Sequence, residues 1–261
     1  MKYVDKIFYV LGNRVLEIIE ISGFTILLLA KATFYCKNAY DKRKEIFKQM
    51  YIAGVKSLLV CSLVAVFVGM ILALQTGIEL MRFQQQNFVG NLVITTMTRE
   101  MGPLMTGIII IASVGSAMAA EIGTMKVSEE IDALEMMSIS PVKFLVMPRL
   151  IALAVMVPIS TIYVNTLGTM GGAIVAYFQL NVPFDTYYSH VLDSLQFKAT
   201  YVGIFKAHVF GLIIAAVSCS QGLKAVNGAL GVGKATRSTV VISFLMVLVT
   251  GYFITSFFYG K

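Results

Sequence analysis

An all-α membrane protein with five transmembrane helices is the fold class that three features of this chain predict. Its 261 residues are 57% hydrophobic and only 13% charged, with a mean hydropathy of +0.81, more apolar side chain than one water-soluble domain can bury. Its apolar residues gather into five long runs, each near the roughly 20 residues needed to cross a bilayer. Its basic residues collect on alternate sides of those runs, so the net charge of +7 fits one face of a membrane and not nucleic acid. Cys36, Cys61 and Cys219 are scattered with no CxxC or Cys/His spacing, so neither a disulfide framework nor a metal site is expected, and no cofactor is. Neither of the two histidines sits in a catalytic constellation.

From Met1 to Lys31 the chain lacks the basic region, apolar core and cleavage site of a signal peptide, because Asp5, Glu17 and Glu20 interrupt it. Asp5–Ala30 mixes apolar and charged residues, and its longest uncharged run is too short to cross, which predicts an amphipathic helix lying in the interface or, alternatively, a shallow re-entrant one. Lys31, Lys37, Lys42, Arg43, Lys44, Lys48 and Lys56 come next against only Asp41 and Glu45, so residues 1–56 form a basic, cytoplasmic N-terminal segment ahead of a transmembrane unit at 57–261.

The predicted spans are about 57–80, 101–122, 150–175, 199–223 and 238–258. The first leaves the membrane at Glu79 and Arg82, and the polar stretch to Glu100 reads as a short far-side segment. The second is crowded with small residues from Gly102 to Ala120, as expected where helices approach closely. In the third, Pro158 is placed to kink the helix, and Gly171, Gly172 and Pro183 to break its continuation. Tyr187 and Tyr188 suit a membrane interface on the far side. The fourth contains Lys206. With this topology sixteen lysines and arginines fall on the inner side and only Arg82, Arg99, Lys198 and Lys261 on the outer. That predicts a cytoplasmic N-terminus and an outer C-terminus.

Between the second and third spans, Val127, Ile131 and Leu134 recur at helical spacing while Asp132 and Glu135 share another face. They predict a short cytoplasmic helix at about 127–137, capped by Ser128, with Glu129 and Glu130 at the positive end of its dipole. It reads either as a docking element or as a solvated loop.

Several residues invite a chemical reading. Gly228–Lys234 matches GxxxxGK, but Ala235 stands where the magnesium-holding hydroxyl is required and no strand precedes it, so it reads as a glycine-rich turn and not a nucleotide loop. Arg99 and Glu100 lie at the outer mouth of the second span, either bridging each other or serving a site. Lys206 within a span needs an acid, a carbonyl or a wet cavity, with Glu79 and Glu121 the other acids near membrane depth. Met70, Met81, Met97, Met101, Met105 and Met118 suit either a cavity for acyl chains or ordinary packing. No nucleophile and base, nor any metal-ligand set, appears at catalytic spacing, so catalytic residues are none.

Four strings carry a resemblance: TREMGP (Thr98–Pro103), AAEIGTMKVSEEIDALEMMSISPVKFLVMPR (Ala119–Arg149), FKAHVFG (Phe205–Gly211) and GALGVGKATRSTVVIS (Gly228–Ser243). With their order and spacing they resemble the MlaE/YrbE permeases, the membrane subunits of Mla-type ABC transporters, over about Ser57–Phe258. The resemblance implies a non-enzymatic permease of the bacterial inner membrane that moves phospholipid and maintains outer-membrane lipid asymmetry. It implies a homodimer, cytoplasmic ABC ATPase subunits that hydrolyse ATP, and periplasmic MCE-domain lipid-binding subunits. It makes the acidic helix the ATPase-coupling element through Glu129, Glu130, Asp132 and Glu135. An outward-opening cavity at the dimer interface would hold lipid on Leu74, Leu80, Met81, Arg99, Glu100, Met101 and Lys206. The alternative is a stand-alone ion-coupled transporter of an amphiphile working through Glu79, Glu121 and Lys206, which calls for an inverted repeat that the chain does not display.

Overall fold

The computed structural model describes residues 23–260, and every regular element among them is helical. The Asp5–Ser22 part of the interfacial segment and Lys261 lie outside the described residues. The first described helix, α1 (Gly23–Tyr35), buries Leu28 and Ala32 and leaves Ile26, Leu27 and Phe34 exposed, the two-faced pattern of an interfacial helix. Next come α2 (Arg43–Ala53) and α3 (Leu58–Arg82), then α4 (Val89–Thr96), α5 (Gly102–Ile110) and α6 (Ser116–Val127), which continue one another through π turns at Met97–Met101 and Ile111–Gly115. The short α7 (Glu130–Met136) precedes α8 (Met147–Leu180), α9 (Phe184–Asp193), α10 (Phe197–Leu223) and α11 (Gly228–Tyr259). Among the described residues, five helical runs are long and apolar enough to cross a membrane: Ala39–Arg82, Gln86–Val127, Val142–Leu180, Phe197–Leu223 and Gly228–Tyr259.

Each run contains one expected crossing and extends beyond it, for identifiable reasons. Within the polar stretch after Met81 helix resumes at Gln86, because Val89, Val93 and Ile94 fall on one face and are buried beside Tyr187 and Val191 of α9. The Tyr187 hydroxyl donates to the Thr169 carbonyl of α8 at 3.0 Å. Burial, with Tyr188 adding to it, pushes the Tyr187 phenol above its usual range.

Gly171 and Gly172 do not break the third span. α8 runs through them to Leu180 and stops at Asn181, whose φ of 54° turns the chain. These glycines serve a helix seam instead. α3 buries Cys61, Ala65, Gly69, Ala73 and Gly77, one small residue every four, so α8 can lie against its backbone. A methyl group on Gly69 would overlap the Gly168 carbonyl, and one on Gly171 would overlap that of Val66.

Pro158 sits inside α8 and has no N–H for the Ala154 carbonyl four residues back. His208 of α10 takes that place, with Nδ1 2.9 Å from Ala154 O. One of the two histidines therefore repairs a helix, as buried backbone in a low-dielectric setting requires.

Two apolar cores result. One, at the basic end, joins α1, α5, α6, α7, α8 and α10 around Ile122, Leu150, Leu153 and Phe210. The other joins α3, α4, α8 and α9 around Val93, Met97 and Val164. α11 packs on α6 and α10 through Ala235, Thr239, Ser243 and Val247 and exposes Leu245, Val249, Phe253 and Phe257.

Candidate functional site

The site is built on a defect in the second span. Pro103 lacks the N–H that the Arg99 carbonyl would accept, and the π turn Met97–Met101 opens the ladder at the same place. Lys206 lies on the buried face of α10, with 1% side-chain exposure. Its Nζ donates to Arg99 O at 3.0 Å, to Glu100 Oε1 at 2.7 Å and to Thr255 Oγ1 at 2.6 Å. Three partners match the three ammonium hydrogens. The Thr255 hydroxyl has one hydrogen for two acceptors, Glu100 Oε1 at 2.8 Å and the Gly251 carbonyl at 2.9 Å, and three spans meet at one buried cation. The Glu100 side chain remains 42% exposed.

Arg99 does not bridge Glu100. Its guanidinium lies 4.6 Å from the centre of the Tyr259 ring, which Lys198 also approaches, at 5.1 Å. Its Nη2 reaches Gln196 Oε1 at 3.5 Å. Arg99 Nε and the Tyr259 hydroxyl are buried without a hydrogen-bond partner. Two cations therefore gather around one aromatic ring, with two buried polar atoms beside them left without a partner.

The remaining residues expected at the lipid site divide in two. Leu74, Leu80 and Met101 are half-buried against the α3, α4, α8 and α9 core, whereas Met81 is exposed. The other acids near membrane depth are engaged elsewhere: Glu79 pairs with Arg82 three residues on at 3.2 Å, and Glu121 with the buried Arg149 at 2.8 Å. Glu79, Glu121 and Lys206 therefore form no relay.

Thr255, Tyr259 and Gln196 escape the reading from sequence. The signal for the first two is periodic: the buried residues of α11 fall every fourth position from Ala235 to Val247, and the same count reaches Gly251, Thr255 and Tyr259.

The acidic segment differs in detail from its expected form. α6 runs through Val127, Ser128 ends it, and Glu129 turns the chain with φ 59° before α7 starts at Glu130. Ser128 is therefore the C-cap of α6 and not the N-cap of α7, and Glu129 stands outside the first turn, where only Glu130 and Asp132 meet the dipole. Ile131 anchors α7 in the core at 2% exposure. Asp132 pairs with Lys126 at 2.6 Å, while Glu130 and Glu135 extend the acidic surface beside Met136 and Met137, exposed by 88% and 62%. Those two methionines also escape the sequence reading, and they give the acidic helix an apolar tip.

The family profile described as Permease MlaE matches residues 46–257. A probable ABC transporter permease protein of Rickettsia typhi is 39% identical over 210 residues, 80% of this chain and 81% of that one. A second, from Rickettsia bellii, is 35% identical over 250 residues, 95% of this chain and 96% of its own. The chloroplastic protein TRIGALACTOSYLDIACYLGLYCEROL 1 of Arabidopsis thaliana is 31% identical over 246 residues, 94% of this chain and 68% of that one. With five membrane-crossing helices and this match over most of its length, the chain is a multi-pass membrane permease subunit and belongs to the MlaE permease family.

Proposed function

We propose that this chain is the non-catalytic permease subunit of an ABC transporter that moves phospholipid between the inner and outer membranes of a bacterium and so maintains outer-membrane lipid asymmetry. The observation that carries the reading is the Arg99, Lys198 and Tyr259 cluster beside the Lys206–Glu100 pair, where cationic and unpaired donors lie at the same end of the helices as the apolar Leu80 and Met81. A phosphate headgroup suits the former and acyl chains the latter. Arg99 would take the phosphate, Glu100 and Lys206 would hold the wall, and Leu74, Leu80, Met81 and Met101 would meet the tails. A second copy of the chain closes the cavity as a homodimer, and the exposed apolar residues of α3, Leu63, Phe67 and Ile71, are available to it.

The charge asymmetry supports a cytoplasmic basic end in the inner membrane, with the C-terminus periplasmic. On that end α7 offers acids and two bare methionines to an ATPase subunit whose nucleotide states would favour different permease shapes. Periplasmic MCE-domain subunits would receive or deliver the lipid at the other end.

A photoreactive residue placed at Met81 or at Arg99 tests the site. After purification in detergent, which removes bulk lipid, cross-linked phospholipid on both, and none on an equivalent label at Met246 of the outer face of α11, is the expected result. Equal labelling at all three would mean bulk bilayer contact and would sink the assignment.

A further inference from the structure

Between Lys31 and Lys56 seven lysines and arginines stand against two acids, Asp41 and Glu45, and the helical core of this segment, α2, has two unlike faces. Ile46, Gln49 and Ala53 are buried, on the side packed against α8. At 3.6 residues per turn the opposite face carries Lys44, Phe47, Lys48 and Tyr51, all exposed, with Arg43 at its edge and Glu45 to one side. Phe47 is 67% and Tyr51 55% exposed, so two large aromatic side chains lie uncovered between two bases. Among the described residues neither Lys44 nor Lys48 belongs to an ion pair.

The pairing of base with aromatic repeats where α1 turns into α2. Lys37 Nζ stands 5.5 Å from the centre of the Phe34 ring, and the Arg43 guanidinium 5.0 Å from that of Tyr40. Arg43 Nη1 also donates to the Tyr40 hydroxyl at 3.3 Å. Phe34 and Tyr40 are themselves exposed. α2 belongs to the helical run Ala39–Arg82 that makes the first span. Along that run the outward face passes from Lys44 and Lys48, through Phe47 and Tyr51, to Val55 and Leu59, which are also exposed. Cation, aromatic and aliphatic side chains follow in the order in which a bilayer passes from phosphate to glycerol level to acyl chain. α7, at the same end of the molecule, presents Glu130 and Glu135 instead and would repel an acidic lipid surface.

We propose that the outward face of α2 binds anionic phospholipid headgroups in the leaflet adjoining the basic end. Lys44 and Lys48 stand over the phosphates with Lys37 and Arg43 beside them, Phe47 and Tyr51 sit at the glycerol level, and Val55 and Leu59 meet the acyl chains. Clustered bases at one membrane surface hold acidic lipid by their summed charge, which a single snorkelling lysine cannot do. The contact anchors α2, and with it the first span, at a set depth. It concerns the lipid that surrounds the permease and does not depend on which molecule is transported.

The chain contains no tryptophan, so Phe47→Trp places one fluorophore on α2. The full chain is reconstituted in nanodiscs of equal parts phosphatidylglycerol and phosphatidylcholine, with bromine on the acyl chains of one lipid or the other, and quenching is read for each. Phosphatidylglycerol should be enriched beside the label by about fivefold, what one well-placed lysine supplies. Lys44→Gln with Lys48→Gln should bring the two lipids to near parity. Lys234→Gln with Arg237→Gln removes the same charge from exposed residues at the same end, on the first turns of α11, where the GxxxxGK string is helix and not a turn. That variant should keep the enrichment. A label at Phe253→Trp, on the exposed face of α11, should show no preference. Equal quenching by the two lipids at the α2 label, or the same loss in both double variants, would reduce the attraction to diffuse charge and overturn the site. Quenching by neither lipid, as a second copy seated on α2 would give, or loss of quenching when the ATPase subunit binds, would overturn the lipid assignment in favour of a protein partner.

Discussion

Lys206 and Glu100 are unequal members of one pair, because the cation is almost fully buried and the carboxylate is 42% exposed. Removing the acid strands an ammonium in the membrane interior, whereas removing the lysine leaves an acid that still reaches an open face. Glu100→Ala is therefore expected to destabilise by about 3 kcal/mol and Lys206→Met by clearly less. Denaturation of the two variants in the same detergent checks the order, and equal losses would contradict the geometry. Lys206 can be picked out as needing a partner from the chain alone, since a charge within an apolar run demands one. The partner's identity cannot: Glu100 is 106 positions away, and choosing it over Glu79 or Glu121 requires knowing that Pro103 leaves the Arg99 carbonyl bare at the point where α10 passes. Thr255 is hidden for a different reason. A threonine in an apolar helix ordinarily bonds its own backbone, as Thr255 also does at the Gly251 carbonyl, and only the period-four stripe of α11 marks it as facing inward.

At the scale of elements, small residues decide how closely helices approach. Gly69→Val would force α3 away from α8 at the Gly168 carbonyl and should cost several kcal/mol, as overpacking of backbone contacts does. By contrast Gly233→Ala, in open space within α11, should be neutral or stabilise by up to about 1 kcal/mol. Thermal unfolding of both proteins separates a packing role from a propensity role, and a harmless Gly69→Val would refute the seam. The crowding of glycine and alanine is legible in the chain, but not what Gly171 and Gly172 do, because a glycine pair that ends a helix and one that lets a neighbour in have the same local sequence. α7 shows a similar limit. Its amphipathic spacing is readable, while its start is not, since Ser128 has the composition of an N-cap and instead closes α6. The proposed docking role rests on the outward face of α7. Glu130, Asp132 and Glu135 changed together to lysine should reduce recovery of the ATPase subunit in a pull-down by tenfold or more, about 1.4 kcal/mol or more of binding energy. Undiminished recovery would remove α7 from the interface.

At the scale of the whole molecule, fold class emerges almost entirely from composition and charge placement. Five apolar runs and sixteen basic residues against four leave few arrangements for a chain whose backbone must satisfy itself. What composition cannot supply is which residues meet at each end: Arg99 and Lys198 around Tyr259 at one, and an acidic helix with exposed Met136 and Met137 at the other. The central claim is that these ends are coupled through a partner's ATP hydrolysis, and the most direct measurement is lipid transfer from proteoliposomes containing the permease with and without its ATPase and MCE-domain subunits. The account predicts ATP-dependent movement of a labelled phospholipid only in the full assembly, and its loss when Arg99 and Lys198 are both changed to glutamine. ATP-independent transfer by the permease alone, driven by an imposed ion gradient, would contradict it.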